Sequence, residues 1–195
     1  MNVTVYCGSN PGDDPAFAST ARELGAWIAR AGHTLVYGGS SVGLMGEVSR
    51  AAIEGGAPVI GIEPEFFIEA GVAQHELTEL VVVETMGERK AQMIERGDMF
   101  VALPGGVGTL EEISEIITRV RLDLGPHECF LLNVNGFYEP LRVFLETMVE
   151  HRFFDQCDLD RCHFPASVAE LAHLAATADE RPQARCEGAL LQQMG

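Results

Sequence analysis

Short apolar runs alternate with longer amphipathic segments along most of the chain. Six runs have the length of strands, and several are apolar throughout, as is typical of strands covered on both faces. The predicted strands are residues 2–9, 33–39, 57–64, 77–84, 98–106 and 128–136. Amphipathic helices are predicted at residues 15–31, 43–55, 86–96, 109–122, 137–151 and 167–178. This alternation predicts an α/β protein: a Rossmann-like three-layer α/β/α sandwich with a mostly parallel sheet.

The pattern continues without a compositional break or an internal repeat to about residue 178. A chain of 195 residues with 47% hydrophobic composition is long enough to bury one core of ordinary size. We therefore expect a single Rossmann-like domain over residues 1–178. Residues 179–195 lack strong periodicity and are expected to form a loose tail.

The chain is strongly acidic, with 29 acidic against 13 basic residues and a formal net charge of −16. Such a charge repels polyanions, so we expect no nucleic-acid partner. An anionic small molecule is compatible with it, because backbone N–H groups and one or two arginines can dominate at contact distance. The sequence has no secretory signal and no run of the roughly 18 to 20 apolar residues that cross a bilayer. We expect a cytoplasmic protein without membrane contact.

Motifs for metals and common cofactors do not stand out. Cys157 and Cys162, with Asp158 and Asp160 between them, lack the second ligand pair that a metal site would need. A GxxxxGK[ST] loop is absent, and the turn after the first strand is not GxGxxG. We therefore expect no metal and no cofactor, and the sequence does not predict NAD or ATP as the ligand.

Glycine-rich turns follow three of the predicted strands. They are CGSNPG at residues 7–12, YGGSSVGLMG at 37–46 and LPGGVGTLEE at 103–112. Ligands of parallel α/β sheets bind outside the carboxyl ends of the strands, so all three turns should face one crevice. Ser9 and Gly39, in the first two turns, are candidate substrate-binding residues.

The third turn has the composition of a phosphate-binding loop. Gly105, Gly106 and Gly108 permit positive φ and close backbone approach, and Thr109 opens a helix whose N-terminal N–H groups carry partial positive charge. The alternative is a purely structural role, in which the glycines serve only to turn the chain between a strand and a helix.

Glu112 allows two interpretations from spacing alone. Thr109 and Glu112 fit the capping box T-x-x-E, in which the glutamate binds a backbone N–H at the helix start. The core side of this helix is expected to carry Leu110, Ile113, Ile117, Val120 and Leu124. That assignment leaves Glu112 on a flank of the helix, where its carboxylate could face the crevice.

Arg89 and Lys90 lie in ETMGERKAQM, residues 84–93, after the fourth predicted strand. Adjacent residues of a helix point about 100° apart, so at most one of the two can point squarely into a pocket. A solvated charged face is the alternative.

Three segments, YGGSSVGLMG, MGERKAQM and PGGVGTLEE, resemble in order and spacing the Lonely Guy (LOG) family. These proteins are cytokinin riboside 5′-monophosphate phosphoribohydrolases, whose bacterial members were often labelled lysine decarboxylases. The resemblance runs from about residue 2 to residue 176. It implies a Rossmann-like fold, a homodimer, and hydrolysis of an adenine-type nucleoside 5′-monophosphate to free base and ribose 5-phosphate.

The resemblance also implies roles for individual residues. The family's catalytic pair falls on Arg89 and Glu112. Its substrate-binding positions fall on Lys90, Gly105, Gly106, Val107, Gly108, Thr109, Glu111 and Thr118. Cleavage of an N-glycosidic bond builds positive charge on the sugar, so a carboxylate beside a phosphate loop has a chemical purpose.

The chain departs from the family at Ser40 and Ser41, at Gly87, and at residues 119–123. These departures leave open the subunit contacts and the preferred base: adenine, a prenylated adenine or another purine. A non-catalytic nucleotide-binding or carrier protein on the same fold is an alternative function. A pyridoxal-phosphate decarboxylase would need a Schiff-base lysine, and Lys90 is the only lysine in the chain.

Overall fold

The computed structural model describes residues 1–178, and the segment in which a tail was expected, residues 179–195, lies outside the described residues. Seven strands are present: β1 (Asn2–Tyr6), β2 (Thr34–Tyr37), β3 (Val59–Pro64), β4 (Glu79–Val83), β5 (Met99–Ala102), β6 (Cys129–Leu131) and β7 (Cys162–His163). They form one sheet in the order β4-β3-β2-β1-β5-β6-β7, and every pairing is parallel. The predicted α/β sandwich is confirmed.

Eight α-helices and one 3₁₀ turn connect the strands over residues 1–178. The helices are α1 (Pro15–Arg30), α2 (Gly43–Glu54), α3 (Glu65–Glu69), α4 (Met86–Arg96), α5 (Val107–Arg121), α6 (Glu139–Glu150), α7 (Gln156–Leu159) and α8 (Val168–Ala176). The 3₁₀ turn spans Val134–Gly136. Within this part of the chain, no helix has both the length and the apolar character that a membrane span requires.

Two apolar clusters cover the faces of the sheet. Helices α1, α2 and α8 contribute to one cluster, and α4, α5 and α6 contribute to the other. The central strands β1 and β5 pair in the register Val3↔Met99, and both are buried on both faces. The chain leaves β1 toward one face and β5 toward the other, so a crevice opens at the carboxyl ends of these two strands.

The chain departs from the predicted elements at three places. Strand β7 and the short helices α3 and α7 were not predicted, because segments of two to five residues are too short to show a period.

The capping box predicted at the start of the last helix is confirmed. Glu170 N donates to Ser167 Oγ at 3.2 Å, and Glu170 Oε2 accepts from Ala166 N at 2.8 Å.

Candidate active site

Arg89 is buried in the first turns of α4, where three parts of the chain hold its guanidinium. Its Nε donates to the carbonyl oxygen of Ile62 at 3.0 Å, and its Nη2 donates to that of Gly38 at 3.1 Å. Its Nη1 donates to Glu112 Oε1 at 3.2 Å. The residue is only 8% exposed. The alternative of a solvated charged face is therefore wrong for Arg89.

Gly38 leaves room for this arginine at the end of β2. A Cβ atom at residue 38 would overlap Arg89 Nη2 and would lie 2.9 Å from both Arg89 Cζ and Met45 Sδ. Glycine is needed here because the guanidinium approaches the backbone closely, and this need is separate from any special φ angle.

A capping box at the start of α4 fixes the turn that carries Arg89. Thr85 Oγ1 accepts from Glu88 N at 3.1 Å, and Glu84 N donates to Glu88 Oε2 at 3.0 Å. This reciprocal pair satisfies free N–H groups at the helix start. Glu88 is therefore occupied in capping, while the next residue, Arg89, points into the protein.

Glu112 is not a capping residue. Helix α5 begins at Val107 with Gly106 as its N-cap, so Thr109 lies inside the helix and no side chain caps its start. Glu112 is 8% exposed and forms the ion pair with Arg89. The capping interpretation was wrong because T-x-x-E spacing does not reveal where the chain enters the helix.

The core side of α5 also differs from the expectation. Leu110 is 44% exposed and Leu124 is exposed as well. The buried residues of the helix are Thr109, Glu112, Ile113, Ile116, Ile117 and Val120. Leu110 lies about 200° around the helix from Glu112, so burying the carboxylate turns Leu110 outward.

The environment of Glu112 disfavours its charged form. Burial raises the pKa of Glu112 to about 7, and the positive charge of Arg89 opposes this rise. The phenol of Tyr6 and the thiol of Cys7 lie close enough to feel the same two charges, and burial raises the pKa of both groups. Glu112 is thus a carboxyl that can change its protonation state near neutral pH.

The three glycine turns meet, as predicted. Gly8 N donates to the carbonyl oxygen of Pro104 at 3.1 Å, and Leu44 N donates to that of Gly8 at 3.0 Å. These bonds join the first turn to the third and to the second. A Cβ atom at Gly43 would overlap the backbone of Ser9. All three turns therefore border the crevice above β1 and β5.

The glycines of the third turn act differently from the expectation. None of Gly105, Gly106 and Gly108 has a positive φ. A Cβ atom at Gly105 would overlap Thr109 Oγ1 and would lie 2.9 Å from Gly8 N, so close approach is what requires glycine there. The first N–H groups of α5 have no side-chain cap and remain available to an anion.

A cleft of ≈ 290 Å³ lies between the first and third turns. Its walls include Phe17 and Phe137, whose rings meet edge to face with centroids 5.6 Å apart. The residues lining it are Gly8, Ser9, Asn10, Pro11, Gly12, Phe17, Leu44, Pro104, Gly105, Gly106 and Phe137. Ser9, Gly105 and Gly106 are thus brought together as the sequence predicted.

Lys90 points away from Arg89 and bridges α4 to α5. Its Nζ forms an ion pair with Glu111 and lies 3.4 Å from Glu115 Oε2. The hydrogen bond with Glu111 raises the pKa of Lys90, so the amine is held in its protonated form. A Schiff-base lysine must lose that proton, and the pairing therefore argues against the decarboxylase alternative.

Two further candidates occupy separate positions. Thr118 is exposed on α5, roughly 13 Å along the helix axis from Thr109, and its hydroxyl donates to the carbonyl oxygen of Ser114 at 2.9 Å. The structure does not bring Thr118 to the Arg89–Glu112 pair of the same chain. Gly39 is buried with φ +84° and packs against the side chain of Glu63.

Glu63, the second-to-last residue of strand β3, is a buried acidic residue that the sequence interpretation missed. Burial raises its pKa to about 7, and the charge of Arg89 opposes the rise. The only sign of Glu63 in the sequence was a single glutamate inside the apolar run VIGIEP.

Residues 1–178 contain no group of three or more His, Cys, Asp or Glu side chains placed to hold a metal ion.

A known protein family matches most of this region. The family described as "Possible lysine decarboxylase" matches residues 45–174, which include Arg89, Glu112 and the third glycine turn. The matched segment also includes Lys90, whose ion pairs do not suit the chemistry in that description.

Two relatives carry a different name, cytokinin riboside 5′-monophosphate phosphoribohydrolase. The one from Rhodococcoides fascians is 48% identical over 146 residues, which are 74% of this chain and 74% of the relative. The LOG protein of Oryza sativa subsp. japonica is 44% identical over 151 residues, 77% of this chain and 62% of the relative. The chain thus covers less than two thirds of the rice protein.

A solved structure shares the fold at lower identity. The molybdenum cofactor carrier protein of Chlamydomonas reinhardtii superposes with a TM-score of 0.68 and 22% identity, over 92% of this chain and 98% of the carrier. At this identity the match supports the fold alone. By the sequence relatives and the family match, the chain belongs to the Lonely Guy family, whose members include the cytokinin riboside 5′-monophosphate phosphoribohydrolases.

Proposed function

We propose that this protein hydrolyses the N-glycosidic bond of an adenine-type nucleoside 5′-monophosphate and releases free base and ribose 5-phosphate. The observation that carries the proposal is the buried ion pair of Arg89 and Glu112, placed one turn beyond the open N-terminus of α5. A carboxylate and an anion site at this spacing suit the two ends of a ribose 5-phosphate group.

The phosphate end is assigned to the start of α5. The N–H groups of Val107, Gly108 and Thr109 lie at the positive end of a 15-residue helix and have no side-chain cap. Gly105 lets Thr109 pack closely against the turn, which keeps these donors fixed. Preformed donors recognise a phosphate without the cost of ordering a loop.

The sugar end is assigned to Glu112. As the bond to the base breaks, positive charge develops at the anomeric carbon, and an ionised carboxylate nearby stabilises the transition state more than the ground state. The same carboxylate can orient the attacking water and accept its proton. A pKa of about 7 suits a group that takes up and releases a proton near neutral pH.

Arg89 has two tasks in this scheme. Its ion pair keeps a fraction of Glu112 ionised in a site where burial alone would protonate it. Its Nε, Nη1 and Nη2 each donate to a protein oxygen, and Nη2 also lies 3.9 Å from Met45 Sδ. The guanidinium has five N–H groups in all, so one remains to anchor the substrate or to assist the departing base.

The substrate class follows the names of the relatives. The Rhodococcoides and rice proteins are named for cytokinin riboside 5′-monophosphate, and AMP has the same phosphoribosyl adenine core. We propose both as substrates. The cytoplasmic location expected from the sequence stays a prediction.

We further propose that the protein is a homodimer. Exposed apolar side chains lie on α5, on α6 and in the turns that follow these helices: Val107, Leu110, Leu124, Val143, Phe144 and Phe153. Exposed apolar residues on neighbouring elements are typical of subunit contacts. In such a dimer Glu111 and Thr118, which point outward, could reach the substrate of the partner subunit.

One experiment separates this function from the carrier alternative. The purified protein is incubated with AMP, N6-prenyl-AMP, GMP and CMP, and free base and ribose 5-phosphate are measured. We expect several turnovers on the two adenine nucleotides and little on CMP. Tight stoichiometric binding without release of base would support a carrier and overturn the enzymatic proposal.

A further inference from the structure

Glu63 is a buried acid, and one of its carboxyl oxygens lacks a hydrogen bond. The residue is 1% exposed, and none of the described residues forms a hydrogen bond with its Oε2. A buried polar atom without a partner is costly, and most buried polar groups in folded proteins are paired. Apolar packing alone does not explain why this acidic side chain is buried.

Two strand ends enclose this carboxyl. Strands β2 and β3 pair in the register Tyr37↔Gly61, so Glu63 lies two residues further along on the same face. Gly39 follows β2 and packs directly on it. A Cβ atom at residue 39 would lie 2.8 Å from Glu63 Cβ and 3.1 Å from Glu63 Oε2. The carboxyl therefore has little room to turn away.

The same two backbone segments hold Arg89. Its Nε binds the carbonyl oxygen of Ile62, the residue before Glu63, and its Nη2 binds that of Gly38, the residue before Gly39. The guanidinium is thus held by backbone next to Glu63 and next to the glycine that packs on it. It has a hydrogen bond to Glu112 and an electrostatic attraction to Glu63.

We propose that Glu63 is a positioning residue of the active site: it shares the charge of Arg89 with Glu112 and so limits how strongly the arginine holds the catalytic carboxylate. One cation cannot fully compensate two buried anions, so ionising Glu63 weakens the effect of Arg89 on Glu112. This proposal rests on the proposed function, because it concerns the role of Glu112 in cleavage.

Other charged and titratable groups around the cluster do not replace Glu63 in this role. They are Tyr37 on β2, Arg50 on α2, which acts on Tyr37, Cys7 directly after β1, and the Glu111–Lys90 pair on the outer side of α4 and α5. Burial raises the pKa of both Tyr37 and Cys7, so they stay neutral near pH 7. Within the described residues, Glu63 is the buried acid that shares Arg89 with Glu112.

The test is the pH dependence of kcat/KM for AMP in the wild type, Glu63→Gln and Glu65→Gln. Glu65 is exposed two residues away and provides the same loss of charge outside the cluster. In Glu63→Gln the arginine acts on Glu112 alone, so Glu112 stays ionised at lower pH. We expect the acidic limb to move to lower pH by about 0.5 unit or more. Glu65→Gln should keep the limb of the wild type.

An unmoved acidic limb in a folded Glu63→Gln protein would overturn the proposal, whatever the effect on stability. If that variant does not fold, an NMR titration of the Glu112 carboxyl carbon in the wild type provides the second measurement. Two coupled steps would support shared charge, and a single step would contradict it. This titration also works if no nucleotide is cleaved, so failure of the proposed function and failure of this inference can be told apart.

Discussion

Arg89 and Glu112 form an ion pair across α4 and α5, with 3.2 Å between Nη1 and Oε1 and with both side chains about nine-tenths buried. The two residues are 23 positions apart, on helices that follow different strands. Breaking a buried pair by removing one partner leaves an uncompensated charge, which is costly. The pair is thus both a structural element and the centre of the proposed chemistry, and the predictions below separate these two roles.

Loss of the substrate phosphate should reduce catalysis strongly. If the start of α5 binds the 5′-phosphate, two or more hydrogen bonds to a charged group are lost with adenosine, each contributing roughly 1.5 to 3 kcal/mol. The value of kcat/KM for AMP should therefore exceed that for adenosine by about 100-fold or more. Steady-state rates of base release from both compounds provide the measurement. Comparable values would show that the turn does not hold a phosphate.

Gly38→Ala should disrupt the site without removing a functional side chain. The new methyl group overlaps Arg89 Nη2, so the guanidinium must leave its carbonyl partners and Glu112. We expect turnover of AMP to fall by roughly 100-fold, since misplacement of about 1 Å can have that effect. Gly87→Ala is the matched control, because a Cβ atom there meets nothing closer than 3.8 Å. Full activity of Gly38→Ala would mean that the position of Arg89 does not matter.

The stability of the fold should depend on pH through Glu63. Its pKa is raised from 4.5 to about 7 in the folded protein, so the folded state binds more protons than the unfolded state between these values. The contribution of Glu63 to the stability of the fold is therefore complete below about pH 4.5 and is lost as the pH rises to about 7 and above. The free energy involved is at most about 3 kcal/mol.

Thermal unfolding of the wild type and Glu63→Gln at pH 5 and pH 8 checks this dependence. Glutamine cannot ionise, so the variant avoids the cost of a buried charge at the higher pH. Its Tm relative to the wild type should therefore be higher at pH 8 than at pH 5. An equal difference at both values would show that Glu63 titrates normally.

Association of two subunits is a separate prediction. Exposed apolar residues such as Leu110 and Phe144 would be covered in a dimer. Light scattering at micromolar concentration should give twice the chain mass of 21.1 kDa. Charged substitutions at Leu110 and Phe144 should reduce that mass if these residues lie in the contact. A monomeric mass for the unaltered protein would reject the dimer.

The fold could be predicted from the sequence because its strands and helices have distinct periods. Continuous apolar runs gave the buried parallel strands, and the turns between them placed the crevice. Arg89 and Glu112 were found through the resemblance of their motifs to a family. Spacing alone could not select them, since each also fitted a structural role.

The remaining features depend on tertiary contacts. Whether T-x-x-E forms a cap is decided by where β5 delivers the chain, and α5 starts two residues before Thr109. Glu63 could not be selected from the sequence, because one acidic residue inside an apolar run does not show what packs on it. Its burial arises from Gly39 and the strand ends, which are far apart in sequence.

The central claim is that the charge of Glu112 acts on the sugar, and Glu112→Gln tests it most directly. The change keeps the shape of the side chain and removes the buried carboxylate, while Glu170→Gln is the control in a true capping box. We expect turnover of AMP by Glu112→Gln to fall by on the order of 100-fold or more, about 3 kcal/mol in activation free energy. The unpaired Arg89 should also lower Tm, so turnover is compared at a temperature where circular dichroism shows that the variant is folded. Glu170→Gln should retain activity. Near-normal turnover by Glu112→Gln, on a substrate that the wild type cleaves, would contradict the mechanism.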